Sequence, residues 1–177
     1  MRLFVGLDLP WALRERLVEL SRGLPGARWV PEENLHLTLR FVGEVTPNVA
    51  EEVDLALQGL RGKRFELLLS GVGTHTKGGR EVALWVGVSR NPALEHLQAK
   101  IETALQRAGL APEKRRFLPH VTLARLEQTV GHKLAAYVQS HNLFRAGPVE
   151  IDAFTLFSSQ LGKEASVYTA EIGYPLS

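Results

Sequence analysis

The chain of 177 residues contains no cysteine. That absence excludes disulfides, thiol nucleophiles, and zinc or iron–sulfur sites built on thiolate. Only one methionine is present, and a chain so poor in labile side chains suits a heat-adapted protein. No apolar run approaches the roughly 20 residues that cross a bilayer as a helix. The apolar start, Met1 to Leu7, is interrupted by Asp8 and Pro10 and is followed by no small-residue cleavage site. It reads as a core strand, not a leader, and a cytoplasmic location without membrane association is expected. Carboxylates nowhere gather as a metal site requires, so no metal and no cofactor is expected. No low-complexity tract or compositional break marks a linker, so residues 1–177 suit one globular domain or two small, intimately packed lobes.

The composition that remains is ordinary for a folded chain, with 45% hydrophobic and 23% charged residues. A net charge of +2 favours polyanions only slightly and names no partner. Alternation and β-rich composition predict strands over 2–8, 28–30, 35–42, 65–72, 82–88, 119–126, 148–157 and 166–172. A stripe of Leu13, Leu17, Val18 and Leu20 predicts a helix that ends before Gly23, and further helices are expected over 48–60, 92–108 and 131–140. The polar, glycine-rich segment 73–80 reads as a loop. The class is α+β, with mixed or antiparallel sheets and helices on their outer faces.

One pattern stands out. Leu35-His36-Leu37-Thr38-Leu39-Arg40-Phe41 is echoed in the C-terminal half by Pro119-His120-Val121-Thr122-Leu123-Ala124-Arg125. Side chains two apart on a strand share a face, so each His stands beside its Thr. Leu37, Leu39 and Phe41, and likewise Val121 and Leu123, are then expected to face the core. Imidazole titrates near neutrality, and two can divide acid and base work between them. A hydroxyl beside each can donate to an anionic oxygen, so the two pairs make a cradle for phosphate. A lone His-x-Thr in a strand is more often a satisfied half-buried polar pair; two copies, both followed by Leu, exceed what six histidines would give by accident.

These motifs, with the opening Arg2-Leu3-Phe4-Val5-Gly6-Leu7-Asp8-Leu9-Pro10 and the closing Phe154-Thr155-Leu156-Phe157-Ser158-Ser159, resemble the 2H phosphoesterase superfamily. The similarity is to its LigT-like branch of RNA 2′,3′-cyclic phosphodiesterases and 2′-5′ RNA ligases. The resemblance implies two similar lobes related by a pseudo-twofold about a central cleft. It implies His36 and His120 as the acid–base pair, with His120 as base and His36 as acid. It further implies Thr38 and Thr122 as phosphate donors, Arg125 as a phosphate-binding cation, and Tyr168 and Ser159 as cleft residues. In a regular strand Arg125 would face away from His120, so its role requires a bulge or a strand end before it. Arg40 has the parity of His36 and is expected as a secondary substrate contact.

The implied reaction opens an RNA 2′,3′-cyclic phosphate to a 2′-phosphate, with ATP-independent 2′-5′ ligation as its counterpart. The implied substrate is the end of a cleaved RNA such as a tRNA half, and a monomer is expected. Alternatives are a phosphodiesterase of a small cyclic nucleotide or 2′-5′ oligonucleotide, and an RNA-binding module without catalysis. A wide basic surface around the cleft would favour long RNA over the small substrates. His75, Lys77 and Arg80 could reach RNA or form an exposed tip, and Lys114, Arg115 and Arg116 could touch phosphates or simply be solvated.

Overall fold

The computed structural model describes residues 1–129, 131–163 and 165–177. Strand β1 (Arg2–Asp8) leads into α1 (Trp11–Leu20), then β2 (Ala27–Trp29), a 3₁₀ turn at Glu32–Asn34, β3 (His36–Glu44) and α2 (Pro47–Gln58). There follow β4 (Phe65–Lys77), β5 (Arg80–Val88), α3 (Pro92–Arg107), β6 (His120–Leu126) and α4 (Gly131–His141). The chain closes with β7 (Arg145–Ile151), β8 (Ala153–Gln160) and β9 (Val167–Pro175). Two of the helices, α2 and α3, begin at side-chain caps: Thr46 Oγ1 accepts from the Val49 amide, and Asn91 Oδ1 from that of Leu94, each followed by proline at the first position.

The strands form one sheet in the order β7-β4-β5-β6-β3-β1-β8-β9, with β2 added beside β6. The strand that carries each His-x-Thr motif, β3 or β6, lies at the centre of this order, with three further strands outside it on either side. Every pairing is antiparallel, so the mixed sheet allowed by the sequence does not occur among the described residues. The halves meet through a single register pair, Leu37 opposite Val121, both fully buried. One side of the sheet is covered by helices, α3 against β3, α1 against β7 and α4 against β4. Leu13, Leu17, Leu94, Leu97, Ile101 and Leu105 fill that side, and Val18, expected in the first stripe, instead faces outward. None of the described helices is long and apolar enough to cross a membrane.

Two segments differ from expectation. Residues 73–80 are not a loop: β4 runs on to Lys77, pairs with Arg80, and reverses through Gly78-Gly79 alone. Both glycines have positive φ, 60° and 78°, as a two-residue hairpin turn requires, and the β-branched Thr74 and Thr76 carry the strand up to it. The expected strand 148–157 is two strands parted at Asp152, lying in opposite halves of the sheet. A continuous β-rich run carries no mark of such a crossing.

Candidate active site

The open face of the sheet is laid out by the central register pair. Leu37 and Val121 point to the helices, so His36, Thr38, His120 and Thr122 point to the open face. Carried one residue either way, the antiparallel register sets His36 against Thr122 and Thr38 against His120. Each half therefore places its imidazole beside the other half's hydroxyl. Nδ1 of His36 lies 2.7 Å from the Asn34 carbonyl, and Nδ1 of His120 lies 2.7 Å from the Leu118 carbonyl. A carbonyl only accepts, so both Nδ1 atoms carry hydrogen and both Nε2 atoms are turned to the cleft. Nε2 of His36 meets Thr38 Oγ1 at 2.9 Å.

The two imidazoles stand in different surroundings. His36 packs against Phe4 at 4.8 Å between ring centroids and meets Tyr168 edge-on at 5.2 Å, whereas His120 is exposed, with Trp85 at 6.3 Å. Burial pushes the His36 pKa below its ordinary 6.5; the Asn34 carbonyl and Asp8 oppose this, while the charges of Arg14 and His120 add to it. The folded chain thus binds this proton less readily than the unfolded chain. Stability is complete above pH 6.5 and declines as pH falls through 6.5 towards the lowered folded value. Urea unfolding of wild type and His36→Gln across that window will show the decline in wild type and a smaller one in the variant. An NMR titration will place the His36 midpoint below 6.5.

Arg125 stands on the same face as His120. Between Ala124 and Thr122 strand β6 gains one residue on β5, since Leu84 faces Ala124 while Trp85 faces Thr122. This bulge buries both Leu123 and Ala124 and returns Arg125 to the face of His120. The same bulge occurs in β3, where Val5 faces Arg40 while Gly6 faces Thr38. Arg40 is thereby turned to the helix side, correcting the expectation that it contacts substrate. It is 7% exposed, with Nε 2.6 Å from Glu102 Oε1 of α3 and Nη2 2.5 Å from the Ala111 carbonyl. Hydrogen bonding from Arg40 holds the Glu102 carboxyl below its usual range.

Phe41 takes the place that Arg125 holds in the other half. Expected in the core, it is 49% exposed on the cleft face, with Phe4 at 6.2 Å. The repeat itself carried this signal: a bulge demanded by Arg125 implies one at the matching position of the first motif. Tyr168 is brought to His36, and Ser159, its partner in register, faces Arg2 at the far end of β1. Asn34 Nδ2 donates to the Ser166 carbonyl at 2.7 Å and ties the His36 loop to the approach of β9. Among the described residues no three imidazole or carboxylate groups come together as a metal site would need.

Paired imidazoles with hydroxyls and an arginine on one sheet face are groups of the kind that can move protons around an anionic phosphorus centre. The chain belongs to the 2′-5′ RNA ligase superfamily, whose family model matches residues 10–163. It is 34% identical over 148 residues to an RNA 2′,3′-cyclic phosphodiesterase of Aeropyrum pernix, covering 82% of this chain and 84% of that one. A protein of the same description from Archaeoglobus fulgidus is 30% identical over 172 residues, covering 95% and 96%. The crystal structure of Escherichia coli LigT in apo form superposes with a TM-score of 0.81 at 27% identity, covering 99% of this chain and 97% of that one. LigT complexed with 3′-AMP gives the same TM-score at 26% identity, covering 99% and 98%.

Proposed function

We propose that this chain, as a single two-lobed domain over residues 1–177 acting as a monomer, hydrolyses RNA 2′,3′-cyclic phosphate ends to 2′-phosphate ends. The observation that carries the reading is the crossed placement of two His-Thr pairs on one open sheet face, with both Nδ1 atoms held by backbone carbonyls and both Nε2 atoms turned to the cleft, that of His36 on Thr38 Oγ1. The description of the relatives as RNA 2′,3′-cyclic phosphodiesterases supports it.

In this reading the cyclic phosphate lies between the two strands, its non-bridging oxygens held by Thr38, Thr122 and Arg125. Nε2 of His120 takes a proton from a water that attacks phosphorus in line. The bond from phosphorus to the 3′-oxygen breaks, and Nε2–H of His36 protonates that oxygen, leaving a 2′-phosphomonoester and a free 3′-hydroxyl. The empty cleft favours neutral His36, and the arriving phosphodiester anion restores its proton. Phe41, Phe4 and Tyr168 offer an apolar wall to the terminal nucleoside. With the 5′-hydroxyl of a second RNA in place of water, the same groups run the 2′-5′ ligation without a nucleotide cofactor.

The product decides the reading. Purified protein in EDTA, given a short RNA ending in a 2′,3′-cyclic phosphate, will yield the 2′-phosphate as resolved by chromatography against 2′- and 3′-phosphate standards. Formation of the 3′-phosphate would reverse the assignment of the departing oxygen, and no conversion would remove the enzymatic reading.

A further inference from the structure

The reactions above use only the centre of the cleft, yet the open face of the second half extends well beyond it. On β4, Gly73, His75 and Lys77 share one face, since Gly73 lies opposite Trp85 and His75 opposite Ala83. Strand β5 gains a residue at Val82, so Arg80, opposite Lys77, returns to that same face. Ala83 also pairs with Arg125, and Arg125 with Arg28, which Glu127 holds at 3.2 Å. His75, Lys77, Arg80 and Arg125 are all exposed. Glu81, the acidic residue of the hairpin, faces Thr76 on the opposite side. No ion pair among the described residues neutralises Lys77 or Arg80. From Gly87, opposite His120, to Arg80 the strand runs about 23 Å at about 3.3 Å per residue.

The matching rows of the first half have the opposite character. Where the second half places Arg125, Ala83 and His75 in register, the first places Phe41, Phe4 and Phe157. At its His36 end lies an open depression lined by Asp8, Trp11, Arg14, Glu32 and Glu33, with Asp8 and Arg14 paired. A polyanion leaving the cleft past Asp8, Glu32 and Glu33 is repelled, and one that follows the hairpin is attracted.

We propose that the β4–β5 hairpin is the track for the RNA chain, with His75, Lys77 and Arg80 binding the backbone phosphates 5′ of the cyclic end. This rests on the reading of the cleft as an RNA-end phosphodiesterase and gives it a substrate class: an oligonucleotide, in preference to a cyclic mononucleotide that has no upstream phosphate.

The test compares a nucleoside 2′,3′-cyclic monophosphate with a single-stranded oligonucleotide ending in the same cyclic phosphate. Wild type, Lys77→Ala/Arg80→Ala, that pair with His75→Ala, and a control of equal charge, Lys63→Ala/Arg107→Ala on the exposed surface away from the cleft, are assayed for kcat/KM. The double hairpin variant will lose about tenfold on the oligonucleotide at low salt and less than twofold on the mononucleotide. Its log–log salt slope for the oligonucleotide will become shallower by about 1.4, as two lost single-strand phosphate contacts require. The added His75→Ala will deepen the oligonucleotide loss, and the control will match wild type. Equal losses on both substrates, no loss on the oligonucleotide, or the same loss in the control would overturn the track. Wild type that turns over both substrates equally well overturns the track alone; wild type that turns over neither overturns the enzymatic reading as well.

Discussion

His36→Ala and His120→Ala will each lower turnover of a 2′,3′-cyclic phosphate RNA end by about two to four orders of magnitude, the range of a lost general acid or base. Both variants will keep the fold. His120 is exposed, and His36 is held by two hydrogen bonds of its own motif, so neither truncation opens the core. The double variant will be little worse than the worse single one, because an acid and a base in one concerted step act as a unit. Rapid-quench measurement of the bond-breaking step, alongside binding of a 2′-phosphate RNA, separates this from lost affinity. Either single variant retaining more than a tenth of wild-type turnover with unchanged binding would remove that histidine from the reaction.

Arg40→Ala will act on stability and not on the reaction. The guanidinium is buried against Glu102 and also serves the carbonyls of Phe41 and Ala111. Its removal leaves Glu102, 18% exposed in its side chain, without its cation, a loss of about 3 kcal/mol for a buried pair broken on one side. In a chain of this size that lowers Tm by about 10 °C. Calorimetry checks the shift, and kcat of the folded variant well below its Tm will remain within about threefold of wild type. A large rise in KM with Tm unchanged would return Arg40 to the cleft. Glu102→Gln, which keeps one acceptor oxygen for Arg40 Nε, will cost less than Arg40→Ala.

Arg40 and Phe41 also mark where the sequence could be read and where it could not. The two His-x-Thr motifs located the site because strand alternation is a local rule, and it holds between His36 and Thr38 and between His120 and Thr122. It fails one residue later in both strands, because a bulge is decided by how the partner strand pairs and leaves no composition of its own. Arg125 betrayed its bulge only through the resemblance. Applied to the first motif, the same reasoning would have turned Arg40 inward and Phe41 outward. The hairpin was misread for a different reason: glycine and charge in 73–80 signal a turn, yet the turn needs only Gly78 and Gly79. The asymmetry between a half-buried His36 and an exposed His120 was not legible at all, since it depends on Phe4, Phe157 and Tyr168 from strands distant in the chain.

The matched bulges have a consequence for direction. Two identical subunits about a true dyad must present the same side chain at both related positions. Such a pair would carry two arginines or two phenylalanines and would greet a nucleotide strand identically from either end. Joined in one polypeptide, the halves are free to differ, and here they do, with Phe41 on one side and Arg125 on the other. A ribose-phosphate chain has a 5′ and a 3′ sense, and only a binding groove with unlike ends can tell them apart. If the hairpin is the track proposed above, the departure from symmetry at this one register gives the molecule a heading along its substrate.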